Sequence, residues 1–416
     1  MSRSVAVIGA GLAGVTTAYE LATIGCRVQV FERGGSIAGQ ASFASSAMLA
    51  PFVPHLTEAA TPAPLAWRWR RWRASRRATA AVPALVALSQ LGLERTAALR
   101  QGLGVDDEST DGLLIALSDA KRLAAAEARL EDWKSLGLAV ALLDADQARR
   151  REPGLNAEAA LAGALAVQGG TGNARLFAQQ LRNRAQRLGV RFQFHTVAKG
   201  VAAHGNAWTL RHEYMPPAEP PTTRFLDPEA AGAAAPPPGP RDERFDAIVL
   251  CNGIGAATLL GQRLPLAAQH EASVTAPLRL LEAYPDLGPR AGWLDPARGL
   301  AIARTGQRVR ITGGLAITGA REKHQPDFEN LHRGLQHWFP GSVLHQQVQQ
   351  GKSRRAVTAD GLPLLGHGGQ PGLWLNLSPG GQGWGAACGA AQVLAQLIAG
   401  ETPALDITAL GPQRLA

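Results

Sequence analysis

The chain has 416 residues, of which 46% are hydrophobic and 18% are charged, as in a globular protein of two or three domains with a large shared core. Its net charge of +9 comes mainly from scattered arginines, which indicates an Arg-rich composition more than an anionic partner. The three cysteines are far apart, which argues against a disulfide framework or a zinc site. No apolar run is long enough for a signal peptide or a membrane span, so we expect a cytoplasmic protein.

The first predicted elements are a buried strand over 5–8, a glycine turn, a helix over 13–23 and a second strand over 28–31. Gly9, Gly11 and Gly14 form a G-x-G-x-x-G fingerprint in that turn, and Glu32 follows the second strand. The glycines permit a tight turn, close approach of a pyrophosphate and close packing of helix on strand. The helix N-terminus favours phosphate, and Glu32 would accept hydrogen bonds from an adenosine ribose, which disfavours NADP. The pattern predicts a dinucleotide site.

The remaining elements alternate between two kinds of sheet. We predict helices over 65–104 and 173–189, a strand of another sheet over 112–117, a half-buried strand over 190–196 and several strands within 265–318. Residues 214–244 hold nine prolines and are predicted to be a loop insertion. The buried strand in "FDAIVLCNGIG" ends in a small-residue turn, and the chain closes on a strand, a glycine turn and a helix in "LNLSPGGQGWGAACGAAQVLAQLIAG" (375–400). Dinucleotide-binding elements therefore lie at both ends and in the middle of the chain.

Several blocks resemble those of one flavoprotein family. They are "QASFASSAMLAPFVP" (40–54), "GGTGNARLFAQQL" (169–181), "RAVTADGLPLLG" (355–366) and the closing strand, turn and helix. With the fingerprint and the middle strand, they make the chain similar to the FAD-dependent amino-acid oxidase superfamily, and most similar to the D-amino acid dehydrogenases. The resemblance misses mainly 65–110 and the Pro-rich segment.

The resemblance implies an α/β fold of two domains: a FAD-binding Rossmann-type domain and an interleaved α+β substrate domain with an antiparallel sheet. We assign residues 1–60, 151–213, 245–265 and 351–416 to the FAD-binding domain. Residues 61–150 and 266–350 are assigned to the substrate domain, and 214–244 to the Pro-rich loop.

The expected cofactor is non-covalent FAD. In the resemblance, residues 251–253 pass the cofactor, Val197 lies at the adenine, and the N–H groups of 380–383 approach the pyrimidine side of the flavin. The following helix N-terminus would stabilise negative charge on the reduced ring. The full set of expected contacts is Gly9, Gly11, Leu12, Ala13, Gly14, Glu32, Arg33, Ser42, Ser45, Ser46, Ala47, Val197, Cys251, Asn252, Gly253, Arg355, Gly361, Gly380, Gly381, Gln382 and Gly383.

The expected reaction is oxidative deamination of an amino acid, in the first place a D-amino acid, by hydride transfer from Cα to flavin N5. A substrate carboxylate needs a planar, permanently charged donor, and Arg355 is assigned that role, with Arg354 as the alternative. His55, His270 and Arg304 are candidate pocket residues, although a surface or core role is favoured for both histidines. Oxygen or a quinone would accept the electrons.

Three departures from the family pattern concern the substrate. The chain has Ser378-Pro379-Gly380 where the family usually has Gly-His-Gly, and alanines at 356 and 359 where it has prolines. Glu271 and Ala272 stand where the family often places a bulky aromatic residue. Three alternatives therefore stay open: a glycine- or sarcosine-type amine oxidase, a flavin oxidase that modifies a tRNA wobble uridine, and a non-catalytic FAD-bearing subunit.

The run "LAWRWRRWRASRR" (65–77) predicts an amphipathic helix, with Leu65, Trp69 and Trp72 on one face. The favoured interpretation is a surface helix with solvated arginines. Peripheral contact with the inner face of a membrane comes next, because Trp and Arg suit the lipid interface. Nucleic-acid binding is the least favoured reading.

Overall fold

The computed structural model describes residues 2–43, 45–54, 61–205, 207–216, 239–261, 264–282, 287–318, 325, 327–377 and 383–415. The helices are α1 (Leu12–Thr23), α2 (Leu65–Ala78), α3 (Val82–Leu103), α4 (Ala120–Glu127), α5 (Leu130–Ser135), α6 (Ala145–Arg151), α7 (Ala174–Arg187), α8 (Gly255–Leu260), α9 (Phe328–Trp338) and α10 (Gly383–Ala399). Short 3-10 helices span Thr79–Ala81, Thr408–Leu410 and Pro412–Leu415. The strands are β1 (Ser4–Ile8), β2 (Arg27–Phe31), β3 (Met48–Leu49), β4 (Thr110–Leu117), β5 (Val140–Asp144), β6 (Gly163–Thr171), β7 (Arg191–Gln193), β8 (Thr196–His204), β9 (Ala207–Tyr214), β10 (Pro240–Phe245), β11 (Ala247–Leu250), β12 (Leu266–Pro277), β13 (Gly292–Asp295), β14 (Leu300–Thr305), β15 (Arg308–Thr318), β16 (Gln349–Thr358), β17 (Leu364–His367) and β18 (Leu373–Leu377).

The nucleotide-binding half of the chain is built on a sheet of six strands, in the order β17-β18-β11-β1-β2-β7. Strands β18, β11, β1, β2 and β7 run parallel, and β17 is antiparallel to β18. Val5 and Val7 of β1 are fully buried because both faces of the strand are covered, which is why the sequence shows a continuous apolar run there. The first strand of the chain therefore lies at the centre of the sheet, beside a strand from the middle of the sequence.

The second large sheet is mostly antiparallel and has nine strands, with the path β16-β12-β15-β14-β13-β4-β6-β3 and β5 also paired to β6. One face packs Trp293, Ile302 and Ile311 against α9, and the opposite face carries Ala301 and Ala303. The two sheets confirm the predicted α/β class with an added antiparallel sheet. Two strands of the nine-stranded sheet come from ranges that the sequence analysis assigned to the FAD-binding domain: β6 lies within 151–213, and β16 lies mostly within 351–416. The domain ranges themselves stay a prediction.

A third sheet, β10-β9-β8, corrects part of the Pro-rich prediction. Residues 240–244 are not loop, because β10 begins at Pro240 and pairs with β9 as far as Phe245. Pro240 is the first residue of an edge strand, where its missing N–H costs no ladder hydrogen bond. The strand is polar because most of its side chains are exposed, so its sequence reads as loop. The part of the insertion at 217–238 lies outside the described residues.

Helix α10 returns the end of the chain to the nucleotide-binding half, where it packs between α1 and α3. The helices α3 and α10 approach closely at glycines: a Cβ on Gly92 would lie 2.0 Å from the carbonyl oxygen of Gly385, and one on Gly389 would lie 2.7 Å from the amide nitrogen of Gly92. Part of the glycine content of the closing segment therefore serves helix packing rather than a ligand.

Among the described residues, no helix is long and apolar enough to cross a membrane. The same residues contain no group of three or more His, Cys, Asp or Glu side chains arranged to hold a metal ion.

Candidate functional site

The glycine turn between β1 and α1 has the shape that the fingerprint predicts. Gly9 has φ of +101°, and a Cβ there would lie 3.0 Å from the carbonyl oxygen of Cys251 on the neighbouring chain segment. A Cβ on Gly14 would lie only 1.8 Å from the carbonyl oxygen of Gly9. Both positions therefore require glycine, the first for its left-handed backbone and the second for the contact between helix and turn.

The N-terminus of α1 is held open for an anion. The N-cap residue Gly11 has no side chain to cap the helix, and the first turn has no acidic residue, so the helix itself does not neutralise the partial positive charge at this end. The Leu12 amide donates to Ser42 Oγ at 3.0 Å. Glu32 closes the other side of the turn, because its carboxylate accepts from the amides of Ala10 and Gly34, each at 2.7 Å. The arrangement matches phosphates at the helix and a ribose at the acid.

The second contact predicted for the cofactor is the turn after β11. The Cys251 amide donates to Ile8 at 2.9 Å, which ties this turn to the end of β1. Asn252 Oδ1 is buried and has no hydrogen-bond partner among the described residues. Burial raises the pKa of the Cys251 thiol to about 12, which favours the protonated thiol. Gly253 has φ of +56° and approaches Ala356 of β16.

These features fit a bound dinucleotide. A glycine turn that admits no Cβ, an open helix N-terminus and an unsatisfied buried amide oxygen lie around the same edge of the six-stranded sheet. Buried polar atoms normally have partners, so the Asn252 oxygen is expected to receive one from a ligand or water. The residues present therefore fit FAD at its pyrophosphate end.

The other predicted cofactor residues lie on four different elements. Ala47 is buried with φ of +60° and accepts a hydrogen bond from Gly172, while Ser46 Oγ accepts one from Met48. Arg33 is exposed. The remaining positions are described as follows: Ser45 lies in the segment before β3, Val197 in β8, Gly361 in the turn after β16 with φ of +74°, and Gly383 at the start of α10. Gly380, Gly381 and Gln382 lie outside the described residues.

The predicted carboxylate anchor lies on a polar face of the nine-stranded sheet. Arg355 Nε donates to Gln269 Oε1 at 2.8 Å, and its Nη1 lies 3.7 Å from Glu271 Oε2. Gln269 is directly opposite Arg355 in the pairing of β12 with β16, so both side chains share one face. Arg354, the alternative anchor, is exposed. The two arginines alternate along β16, so Arg354 lies on the opposite face of the strand, and Arg355 stays the predicted anchor.

Arg310 of β15 is a second cation on the same face, and the sequence reasoning missed it. Its Nη2 donates to the carbonyl oxygen of Phe43 at 2.5 Å and lies 3.4 Å from Ser273 Oγ. Its Nε is buried without a partner among the described residues. Burial lowers the pKa of Arg310 to about 10, against the attraction of Glu271. The sequence signal that could have identified Arg310 is the alternation of polar and apolar residues in "RVRITGG" (308–314), which places this arginine on one face of a strand that is otherwise largely buried.

Phe43 connects this polar face with the nucleotide turn. It follows Ser42, whose hydroxyl accepts from the first residue of α1, and its carbonyl accepts from Arg310. Its ring is close to two guanidinium groups, 5.3 Å from that of Arg175 and 5.8 Å from that of Arg310. The nucleotide turn and the polar face thus meet at Ser42 and Phe43, two consecutive residues of the segment that resembles the family's small-residue segment beneath the flavin.

The other candidate pocket residues do not gather on this face. His270 alternates with Gln269 along β12, and its Nε2 lies 2.9 Å from Thr318 Oγ1. Arg304 pairs with Val309, which alternates with Arg310, and its Nε donates to a backbone carbonyl two residues on, at 3.0 Å. The strand register therefore places both side chains on the opposite face from Arg310. His55 lies outside the described residues.

Helix α2 buries one aromatic residue and exposes two. Trp67 is buried against Ile317 and Val357 at the end of the nine-stranded sheet. Trp69 and Trp72, on the face that the sequence analysis singled out, are each 56% exposed. That face therefore points to the surface and not to the core.

Comparison with known proteins identifies the family. Residues 4–397 match the FAD dependent oxidoreductase (DAO) family. D-amino acid dehydrogenases of Cereibacter sphaeroides and Agrobacterium fabrum are 30% and 27% identical to the chain; each comparison covers 99% of it, and 95% and 100% of the relative. Glycine oxidase from Geobacillus kaustophilus superposes with a TM-score of 0.72 at 21% identity, with 99% of this chain and 98% of that one covered.

A second solved structure is L-amino acid deaminase from Proteus myxofaciens in complex with anthranilate, with a TM-score of 0.74 at 16% identity. The superposition covers 100% of this chain and 94% of the deaminase chain. At these identities the structural matches show a shared fold, which agrees with the six- and nine-stranded sheets. The match over 4–397 includes the glycine turn, the middle strand and the closing helix. The chain therefore belongs to the FAD dependent oxidoreductase family, and its cofactor is FAD.

Proposed function

We propose that the chain oxidises the Cα–N bond of an amino acid, with D-amino acids as the first substrate class. The observation that carries the proposal is Arg355, a half-buried guanidinium held by Gln269 and Glu271 on a sheet face that meets the cofactor segment. A fixed guanidinium binds a carboxylate in a bidentate manner and so orients Cα. The preference for D-amino acids is supported by the relatives named D-amino acid dehydrogenase, at 30% and 27% identity.

The protein's part in this reaction is to bind and orient. Bound FAD supplies a two-electron acceptor. Arg355 would hold the substrate carboxylate, and the buried polar face would keep water from the reacting carbon. With the substrate held in this way, the lone pair of the neutral amine would form the C=N bond, and the bound cofactor would supply the acceptor for the hydride that leaves Cα. The resulting iminium loses its proton or is hydrolysed to a keto acid and ammonia.

Anaerobic reduction with a panel of substrates tests this proposal. The purified holoprotein is mixed with D- and L-amino acids, glycine and sarcosine, and the flavin absorbance is followed. We expect D-amino acids to bleach the flavin. Bleaching by glycine or sarcosine alone would move the substrate to simple amines, and no bleaching by any member would refute amino-acid oxidation. Repeating the reoxidation step with oxygen and with a soluble quinone identifies the acceptor class.

We further propose that α2 contacts the surface of an anionic membrane. Trp69 and Trp72 are more than half exposed, and the arginines at 68, 70 and 73 around them are exposed as well. The Arg73 guanidinium lies 4.8 Å from the centre of the Trp69 ring, so the aromatic and cationic groups form one surface. Such a surface matches the interfacial region of a bilayer with acidic head groups.

Vesicle sedimentation tests the membrane contact. The protein should bind vesicles of phosphatidylcholine with phosphatidylglycerol more than vesicles of phosphatidylcholine alone, and Trp69→Ser with Trp72→Ser should weaken that binding several-fold. Leu280→Ser is the matched control, because Leu280 is 60% exposed on another part of the surface. Equal binding by the double variant would refute the proposal, as would salt-sensitive binding of RNA without binding of vesicles.

A further inference from the structure

The polar face that carries Arg355 has an unusual balance of buried charge. Among the described residues, Arg310 and Arg355 contribute two positive charges to it, and Glu271, whose side chain is 6% exposed, contributes one negative charge. A buried excess charge is unfavourable, so this face is suited to accept one anion. The carboxylate of an amino acid supplies that anion and brings the face to neutrality.

Two buried polar atoms on this face lack partners among the described residues. They are Arg310 Nε and Ser353 Oγ. Ser353 is directly opposite Glu271 in the pairing of β12 with β16, so its hydroxyl and that carboxylate lie on the same face. A face with unsatisfied donors and acceptors, placed beside a carboxylate anchor, has the features of a substrate site.

We propose that Arg310 and Glu271 set the protonation state of the bound substrate amine, so that the neutral amine is the form held for oxidation. This inference rests on the proposed function. With the carboxylate on Arg355, the face is neutral, and an ammonium group would add one uncompensated charge. Arg310 opposes that charge and Glu271 favours it, so the two side chains act in opposite directions on the amine.

The other charged or titratable groups near this face, in the part of the chain that the structure describes, are Arg308, Arg175, Arg354 and His270. Arg308, two residues along β15, is paired with Glu108 at 2.9 Å and is 40% exposed. The Arg175 guanidinium of α7 lies 5.3 Å from the centre of the Phe43 ring. Arg354 is exposed on the opposite face of β16, and His270 is directed towards Thr318. Arg310 and Glu271 are therefore the two buried charges, apart from the anchor Arg355, that we expect to influence the protonation of a bound amine.

The test compares the pH profiles of wild type and four variants of the holoprotein. For anaerobic flavin reduction by the best D-amino acid, Arg310→Gln should move the acidic limb of the rate to higher pH by about one unit, because a neighbouring cation no longer disfavours the ammonium. Glu271→Gln should move it to lower pH by a similar amount. Arg310→Lys keeps the charge and should restore the wild-type limb, and Arg308→Gln is the matched control and should leave it unchanged.

A binding measurement separates protonation from catalysis. The pH dependence of the Kd of 2-aminoisobutyrate, which has no Cα hydrogen, is followed through perturbation of the flavin spectrum, and propionate serves as the ligand without an amine. Arg310→Gln should shift the pH dependence of the Kd for 2-aminoisobutyrate and should not shift it for propionate. The inference is wrong if amino acids reduce the flavin of wild type but the acidic limb of the pH–rate profile stays in place in both Arg310→Gln and Glu271→Gln. It is also wrong if Arg310→Gln shifts the pH dependence of Kd equally for 2-aminoisobutyrate and propionate. If no amino acid reduces wild type at any pH, the proposed function fails instead.

Discussion

The nucleotide turn and the polar face of the nine-stranded sheet recognise their ligands by different means. The turn between β1 and α1 uses backbone groups and the absence of side chains, as the 1.8 Å approach of a Cβ on Gly14 to Gly9 makes clear. The polar face uses long charged side chains, and its partners Gln269 and Arg355 are 86 residues apart in sequence. The first site has a fixed shape, whereas the second has a charge pattern that single substitutions can change.

This difference explains where the chain departs from the family pattern. The fingerprint and Glu32 are intact, because a pyrophosphate and a ribose are common to every dinucleotide. Glu271, a departure from that pattern, stands on the polar face, which is the proposed substrate site. The turn therefore indicates the kind of cofactor, and the substrate is proposed from the polar face.

The largest expected effect comes from adding one methyl group to the turn. Gly14→Ala should destabilise the protein by roughly 3 kcal/mol or more and abolish FAD binding, because the helix cannot move away from Gly9 without opening the phosphate site. Gly102→Ala is the matched control, since a Cβ there meets nothing within 4 Å in helix α3; it should stabilise slightly. Thermal unfolding and the flavin content of the purified protein measure both changes, and normal flavin content in Gly14→Ala would contradict the assigned role.

The next effect should fall on the substrate and spare the cofactor. Arg355→Ala is expected to raise KM by a factor that corresponds to about 2–3 kcal/mol, because the substrate carboxylate loses its charged partner. Arg354→Ala is the control, because Arg354 is the neighbouring residue and is exposed. Steady-state kinetics and flavin content distinguish the two sites. A wild-type KM in Arg355→Ala would move the anchor to another residue, with Arg310 the first to test.

The two sites also differ in how far sequence alone could predict them. The nucleotide turn was predictable because its strand, glycines, helix and acid all lie between residues 4 and 32, within one local pattern. The polar face was not, because which side chains share it depends on the pairing of β12 with β15 and β16. Arg310 was missed for this reason, and His270 and Arg304 were proposed although the register places them on the other face. Family resemblance supplied Arg355, which periodicity alone would not have distinguished from Arg354.

A further comparison concerns two acids that each accept two backbone N–H groups: Glu32 at the nucleotide turn, and Glu152 at the end of α6. Glu152 is fully buried and accepts from the amides of Arg290 and Ala291. Burial raises the pKa of Glu152 from 4.5 to about 7, although both hydrogen bonds act in the opposite direction. The folded state therefore holds this proton more tightly than the unfolded chain, and stability is lost as pH rises from about 4.5 to about 7.

Removing the titrating group should remove that pH dependence. Relative to Glu152→Gln, wild type is expected to lose about 2 kcal/mol of unfolding free energy between pH 5 and pH 8. Glu131→Gln is the control, because the Glu131 side chain is 82% exposed. Urea unfolding at four pH values in this window measures the difference. Parallel curves for wild type and Glu152→Gln would show that the hydrogen bonds, and not burial, determine the pKa of this acid.

The smallest effect is expected at the acid of the nucleotide turn. Glu32→Gln keeps the shape of the side chain but removes its charge, and its NH2 group would face one of the two amide donors from Ala10 and Gly34. One hydrogen bond is therefore lost, and FAD affinity should fall about tenfold, or ~1.4 kcal/mol, with KM for the amino acid unchanged. Titration of the apoprotein with FAD measures the change, with Glu158→Gln, at an exposed position, as the control. If KM changed as much as FAD affinity, the nucleotide turn and the polar face would not be the separable sites that their construction implies.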